Sequence, residues 1–343
     1  MKQQNKVLRI LKQVGITLAL PVAVFLIMEA LAFFTQGTHV IKTMLDVRNL
    51  IRSAGISAAI AFAFSMNLTS GRMDLSLGSQ RVAGTIMGGV VANALGLGGI
   101  WVLVFAILFG LLFGGIVGVL YVTLRIPPMV LGIGMACIYE CVGFAATNGI
   151  GLRLVGTPGV ELLSNMNFTI AVVLILLAVM IVLMTYTKFS YKFRAVQGSQ
   201  QIARNAGINV FVNVAICYTV AGVIIAISGV LDAAFAGSMA ASMGLTSNGT
   251  VMSNMFPMMI GCTFLSKYIN QSIGIVSAAV AVRIFAMGLT CFNVSEAVSS
   301  SINMFLFIAF LVWQANYWKL QRARDDKKRI AEAKAFKAAR AAA

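Results

Sequence analysis

The chain has 343 residues, of which 59% are hydrophobic and only 10% are charged, and its mean hydropathy is +0.92. Soluble domains usually carry about 25% charged residues, so this composition excludes an ordinary soluble protein and indicates one that crosses a membrane several times. The formal net charge is +16. No nucleic-acid recognition motif accompanies it, and we therefore expect no DNA or RNA partner.

Apolar stretches of about 20 residues are long enough to cross a bilayer as helices. Cutting the sequence at its polar, Gly and Pro breaks predicts ten such spans, of which the eighth is short. Their boundaries are 14–34, 50–68, 78–96, 99–123, 129–148, 167–187, 211–236, 252–266, 272–292 and 296–318. The sequence thus predicts an all-α polytopic membrane protein. Its N-terminal segment is 1–13, its transmembrane domain 14–318, and its basic tail 319–343.

A polar break lies at residues 70–78, which read S-G-R-M-D-L-S-L-G. At membrane depth, charged groups and non-helical backbone persist only where protein or water surrounds them. The polar break therefore has two interpretations: part of a solute path, or an ordinary turn that Asp74 and Ser76 cap. With Asn67 and Glu140, these two residues are the candidates for a translocation path or gate.

Other charged residues also fall inside or beside the predicted spans, and we expect them to face protein or a cavity. Exposing a central Asp or Arg to lipid costs about 2.5–3.5 kcal/mol on insertion scales. Besides Asp74, the residues are Glu140, Asp232, Arg283 and Glu296. An ion pair between Glu140 and Arg283 is one possible arrangement, and its role would be structural.

A second informative segment is the basic stretch, residues 188–210. Ser199 is expected to cap a short helix that runs to about Ala206, and Gly207 suits the left-handed conformation that ends a helix. A short helix between two spans could bind a peripheral partner. The alternative is a plain solvated loop.

The positions of Lys and Arg predict the orientation in the membrane, because these residues concentrate on the cytoplasmic side. The N-terminal segment, the polar break, the basic stretch and the tail all fall on one side of the predicted spans. Both termini are therefore expected to be cytoplasmic. A basic tail that follows a final span is also expected to bind anionic lipid head groups.

The sequence lacks the groups that catalysis would need. It contains no G-x-x-x-x-G-K-[ST] loop to hold ATP phosphates, one histidine, and no evident catalytic or metal-binding constellation. We expect no enzymatic activity, no metal and no cofactor in this chain. If energy drives transport, it comes from a partner subunit or from an ion gradient.

These residues resemble the permease subunits of ATP-binding-cassette (ABC) importers of the ribose and other monosaccharide type. The polar break resembles the family's T-G-G-I-D-L-S-V-G, with Arg72 in place of a glycine. Residues 125–132 resemble G-I-P-P with a following L-G-T, and residues 138–149 resemble I-Y-R-G with a later T-N-G. The basic stretch matches G-x-x-x-x-A-x-x-x-G-I. Together the matches keep their order over roughly residues 45–265.

The resemblance implies a subunit in a bacterial inner membrane that translocates a small polar solute, such as a monosaccharide. It implies three partners: a second permease copy or homologous permease, an extracytoplasmic solute-binding protein, and a cytoplasmic ATPase that binds the ATP. The ATPase would couple through Gly198, Ser199, Ala203, Arg204, Gly207 and Ile208. The alternative is a stand-alone secondary transporter driven by a gradient, which should show several intramembrane acids near a broken helix.

The chain also departs from the family pattern. Glu140 stands where the family has Arg, and residues 251–263 lack two family acids and contain a proline. Either the solute differs from a common pentose or hexose, or the subunit works beside a better-preserved sister permease.

A weak internal repeat is visible as well. Residues 125–132 resemble residues 255–261, because in each segment a proline precedes a Met-rich apolar run that ends in glycine. Transporters are often built from such repeats, so we predict two weakly repeated halves.

Overall fold

A computed structural model of the chain describes the backbone of residues 2–342 and the side chains of residues 13–295, 297–319, 322, 325–327, 329 and 330. The chain divides into two units, Met1–Asn293 and Val294–Ala343. The second unit consists of one long helix. The first contains all the other elements, which include the polar break and the basic stretch.

The described part of the chain is almost entirely helical. In chain order its elements are α1 (Lys2–Gln36), α2 (Met44–Leu68), α3 (Leu77–Ala94), α4 (Ile100–Leu124), α5 (Pro128–Ala146), β1 (Leu152–Arg153), α6 (Val160–Ser164), α7 (Met166–Tyr186), α8 (Lys188–Gly198), α9 (Gln200–Asn205), α10 (Val210–Ala236), β2 (Ser238–Met239), α11 (Asn248–Ser253), α12 (Met255–Met259), a π-helical turn (Ile260–Phe264), a 3₁₀ turn (Leu265–Lys267), α13 (Gln271–Cys291) and α14 (Glu296–Ala342). The two short strands pair antiparallel, with Leu152 opposite Met239.

Among the described residues, eight helices are long and apolar enough to span a membrane. They are Gln13–Gln36 of α1, then α2, α4, α5, α7, α10 and α13, and Ala297–Lys319 of α14. The protein is therefore an all-α, multi-pass membrane protein, and eight of the ten predicted spans are confirmed as candidate membrane helices.

The third and eighth predicted spans have a different character. Residues 78–96 do form a helix, α3, but it carries Gln80 and Arg81 and is not among the eight candidates. Most of α3 is buried against α4, α5 and α10, and a helix surrounded by protein need not be apolar. Residues 252–266 do not form one helix; they divide among α11, α12 and the two turns that follow.

Within the first unit, α2, α3 and α10 form the interior. Helix α2 packs against α7, α10 and α13, while α1 packs against α13. Helix α7 is apolar on all sides: Val173 and Met180 are buried, whereas Ile175 and Val179 are exposed. A helix with two apolar faces is expected where one face meets protein and the other meets lipid.

Glycines let α4 and α10 approach until their backbones touch. Gly110, Gly114 and Gly118 recur every fourth residue on α4, so they share one face. A Cβ atom added at Gly110 would lie 2.5 Å from the carbonyl oxygen of Gly222, and one at Gly114 would lie 2.5 Å from that of Tyr218. Small residues at this spacing typically join membrane helices, and here they fix α4 against α10.

We predict that Gly114→Ala destabilises the protein by about 1–3 kcal/mol, because the added methyl group forces the two helices apart. Thermal unfolding of the purified protein in detergent measures the effect. Gly115→Ala is the matched control, since a Cβ there has only one neighbour, 3.6 Å away. Equal unfolding temperatures for the two variants would contradict the proposed close contact.

Candidate functional site

Most of the polar break is buried in the first unit, although Gly71 is exposed, and the segment begins at a sharp reversal after α2. Gly71 adopts a left-handed conformation, with φ +75°. Its amide donates to the carbonyl of Leu68 at 2.9 Å, and the amide of Arg72 donates to the carbonyl of Asn67 at 3.0 Å. These two bonds form the Schellman pattern, which satisfies the last carbonyls of a helix. The chain can therefore turn within the protein without leaving these two carbonyls unpaired.

Asp74 is the centre of a hydrogen-bonded chain of side chains. One carboxylate oxygen accepts from the backbone amide of Ser76 at 2.9 Å and from its hydroxyl at 2.6 Å. The other accepts from the Asn67 side-chain amide at 3.5 Å, and Gln80 donates to the Ser76 hydroxyl at 2.8 Å. All four residues are at most 1% exposed. Burial raises the pKa of the Asp74 carboxyl, and the hydrogen bonds from Ser76 oppose that shift.

Three of the four residues predicted for a path or gate thus lie together, and the fourth does not join them. Glu140 lies about two turns along α5 from Gly132, the α5 residue that packs against the backbone of Leu75. Its carboxylate accepts hydrogen bonds from the backbone amides of Leu245 and Ser247 at 2.8 and 3.1 Å. Glu140 therefore holds the turn that precedes α11.

The suggested ion pair between Glu140 and Arg283 is not formed, and that interpretation was wrong. Glu140 is occupied by the turn before α11, whereas Arg283 interacts electrostatically with Asp232, Arg52 and Arg81. Asp232 forms an ion pair with Arg81. Glu140 is thus separate from the charged group around Asp232.

Arg72 is the residue of the polar break that stands in place of a glycine of the resembled family. Its side chain is 1% exposed, and none of its three guanidinium nitrogens has a hydrogen-bond partner among the described residues. The Tyr218 hydroxyl and the Gln80 side-chain oxygen are also buried without partners there. A buried unpaired charge is costly, so the polar break is a destabilised region of the core.

The basic stretch folds locally as predicted. The Ser199 hydroxyl accepts from the backbone amide of Ile202 at 3.3 Å and so caps α9. Gly207 follows the helix at φ +79°. Among the predicted coupling residues, Arg204 and Gly207 are exposed, but Ala203 is 1% exposed. Ala203 therefore packs inside and does not contribute a surface.

Sequence reasoning did not select Ile202, which is 71% exposed on α9. An apolar residue within a polar, basic segment was the available signal. Beside it lies a groove of about 630 Å³, lined by Gln200, Gln201, Arg204, Gly207, Ile208, Asn209, Val210 and Phe211. The basic stretch thus presents an exposed apolar side chain next to a groove with both polar and apolar lining residues.

One contact joins the basic stretch to the polar break. The side-chain amide of Gln200, at the start of α9, donates to the carbonyl oxygen of Ser70 at 3.5 Å. The two segments are 130 residues apart in sequence. A displacement of α9 would therefore act directly on the turn that follows α2.

Comparison with known protein families gave one match. Residues 47–318 match the family described as branched-chain amino acid transport system / permease component. The matched region covers well over half of the chain and contains both the polar break and the basic stretch. Searches of curated proteins and of solved structures found no match to this chain.

We predict that Asp74→Ala destabilises the protein by about 1–3 kcal/mol, because it leaves buried donors of Ser76 and Asn67 without an acceptor. Thermal unfolding in detergent measures the change. Ser70→Ala is the control, since the buried Ser70 hydroxyl makes no hydrogen bond among the described residues. If both variants unfold at the wild-type temperature, Asp74 does not organise the polar break.

Proposed function

Because the chain belongs to the branched-chain amino acid transport system permease family, it is the membrane-spanning permease component of an ABC transporter, and we propose that it imports a small polar solute through a path controlled at the polar break. A separate cytoplasmic subunit would bind and hydrolyse the ATP. The solute class we propose at this level is a monosaccharide or a related compound.

The contact between Gln200 and Ser70 is the observation that carries this proposal. An ATPase that docks on the exposed residues of the basic stretch, among them Arg204, Gly207 and Ile202, would move α9 when it binds or hydrolyses ATP. Because α9 contacts the turn after α2 directly, the motion would reach Arg72 and Asp74 without an intermediate element. Coupling requires an element with two arrangements that both sites influence, and the polar break is a suitable one.

The energetics of the polar break favour such a role over a static turn. A fully satisfied polar network stabilises a single structure, whereas a partly satisfied one does not. Asp74 and Ser76 have partners, while Arg72 and the Tyr218 hydroxyl have none among the described residues. We propose that Asp74 keeps the turn folded and that Arg72 changes its surroundings during transport. Asp74 would then be part of a gate and not a direct ligand of the solute.

The remaining assignments follow from the same proposal. Both termini and the basic stretch would face the cytoplasm of a bacterium, with residues 14–318 as the permease domain. The tail at 319–343 would lie near anionic lipid head groups. A second permease, identical or homologous, would complete the path, and an extracytoplasmic binding protein would deliver the solute.

A stand-alone secondary transporter remains the alternative from another class. Such a carrier would need ionisable groups that bind the coupling ion near a broken helix. Asp74 is enclosed by its own turn, and Glu140 is bound by backbone amides. Neither carboxylate is free to bind a coupling ion in this arrangement, which favours the ATP-driven proposal.

We predict that the full-length chain co-purifies from its native membranes with a subunit that hydrolyses ATP, and that Ile202→Asp reduces the recovered ATPase activity at least about tenfold. A charge placed in a buried apolar contact costs more than the 1.4 kcal/mol that corresponds to a tenfold loss. Membrane insertion should not change, because Ile202 is exposed.

Ile150→Asp is the matched control for this experiment. Ile150 is 76% exposed, and it lies in the loop between α5 and β1, away from the basic stretch in sequence. Its variant should retain the ATPase. Wild-type protein without ATPase activity would support the secondary transporter, and loss of activity in both variants would remove α9 as the docking site.

A further inference from the structure

Four helices bring charged side chains together in an arginine cluster, defined by Arg52 of α2, Arg81 of α3, Asp232 of α10 and Arg283 of α13. Arg81 forms an ion pair with Asp232, in which the Nη2 atom of Arg81 lies 2.5 Å from the Oδ2 atom of Asp232. Arg283 of α13 also interacts electrostatically with Asp232, Arg52 and Arg81. The cluster thus holds three guanidinium groups and one carboxylate, and it carries excess positive charge.

Arg52 and Arg81 are buried but incompletely paired, whereas Arg283 is partly exposed. Arg52 is 8% exposed and Arg81 is 4% exposed. The Nε and Nη1 atoms of Arg52 and the Nε atom of Arg81 have no hydrogen-bond partner among the described residues. The Arg52 guanidinium lies 3.4 Å from the ring centroid of Phe235, which holds it in place. Guanidinium donors of Arg52 and Arg81 are therefore held inside the protein without an acceptor.

The arginine cluster is not sealed inside the protein. The side chain of Asp232 is 47% exposed, and the ring beneath Arg52 belongs to a residue that is 49% exposed. The unpaired guanidinium nitrogens themselves expose almost no surface, so a small molecule that approaches Asp232 would contact them only after the local packing opens. This combination of buried donors and an accessible edge distinguishes the arginine cluster from a purely structural network.

The position of the cluster suggests where in a transport cycle it would act. Asp232 lies 22 positions after Val210, which corresponds to about 33 Å along α10. Helix α9 immediately precedes the beginning of α10, so the arginine cluster lies at the opposite end of the helix. The role assigned to this end rests on the proposed function. The ATPase would occupy the end of α10 next to α9, so the end that holds the arginine cluster is the one that receives the solute.

We propose that the arginine cluster binds an oxyanion group, such as a carboxylate or a phosphate ester, on the solute that enters the permease. Guanidinium groups match oxyanions with parallel N–H donors, and an anion would stabilise the excess buried positive charge. Asp232 competes for Arg81 and so weakens anion binding. Weak binding allows the solute to leave, as a transport path requires. The cargo is therefore an anionic solute and not a neutral sugar.

The test measures thermal unfolding of the full-length permease in a lipid-free neutral detergent, at constant ionic strength, against D-glucuronate and against D-glucose. The two probes share a ring and differ by a carboxylate. We expect a saturable rise in unfolding temperature with glucuronate, sulfate and phosphate and none with glucose. The measurement needs no ATPase. The expected rise in unfolding temperature would therefore still be seen if the proposed coupling between an ATPase and the polar break were wrong.

Substitutions within the arginine cluster test whether the stabilisation by glucuronate arises there. Arg52→Gln and Arg283→Gln should each weaken the apparent glucuronate affinity by about tenfold or more, because each removes a charge-assisted contact. Asp232→Asn should strengthen it, since the competing carboxylate is lost. Arg48→Gln is the control, because Arg48 lies on the same helix as Arg52, one turn away, and is exposed. Using two independent arginines keeps the test decisive if one variant fails to fold.

Three results would overturn the proposal. The first is an equal response to glucose and glucuronate, or no response to any oxyanion. The second is a response that Arg52→Gln and Arg283→Gln leave unchanged. The third is stabilisation by added anionic lipid but not by soluble oxyanions, which would assign the arginine cluster to lipid head groups.

Discussion

The backbone contact between α4 and α10 is the constraint on which the rest of the structure depends. Because Gly110 and Gly114 have no side chains, the two helices touch along one face. Gly222 of α10 occupies the same contact, and a Cβ there would also lie 3.0 Å from the side-chain oxygen of Gln80. The contact thus positions α3 as well. The polar break precedes α3 directly, so its location in the core follows from the glycines.

Helix α10 then connects three functional regions along one axis. It starts next to α9, passes Tyr218 near Arg72 and Asp74, and reaches Asp232 in the arginine cluster. Backbone hydrogen bonds between successive turns make this helix of 27 residues stiffer than a loop. The proposed gate and the proposed anion site therefore lie along one structural element. The proposed docking surface on α9 reaches the gate through the contact between Gln200 and Ser70.

Local features of this structure could be predicted from the sequence, and long-range ones could not. The Ser199 cap and the Gly207 termination depend on a few neighbouring residues, so their patterns were sufficient. Eight spans could also be predicted, because each is a long apolar stretch of the sequence. Charge partners depend on which helices pack together, and this is why the pairing of Glu140 with Arg283 was wrong. The polarity of α3 was not recognised as a sign of burial, because a hydropathy pattern does not show what surrounds a helix.

The departures from the family pattern acquire a physical explanation once the contacts are known. Glu140 replaces an arginine of the resembled family, and its carboxylate now accepts the amides of Leu245 and Ser247. An arginine has no acceptor for these donors, so this turn could not be held in the same way. The turn leads into residues 251–263, where the family acids are missing, so the two departures lie close together in this structure. Arg72 is a separate change: a charge enters the polar break where a glycine would add none, which increases the electrostatic cost of that conformation.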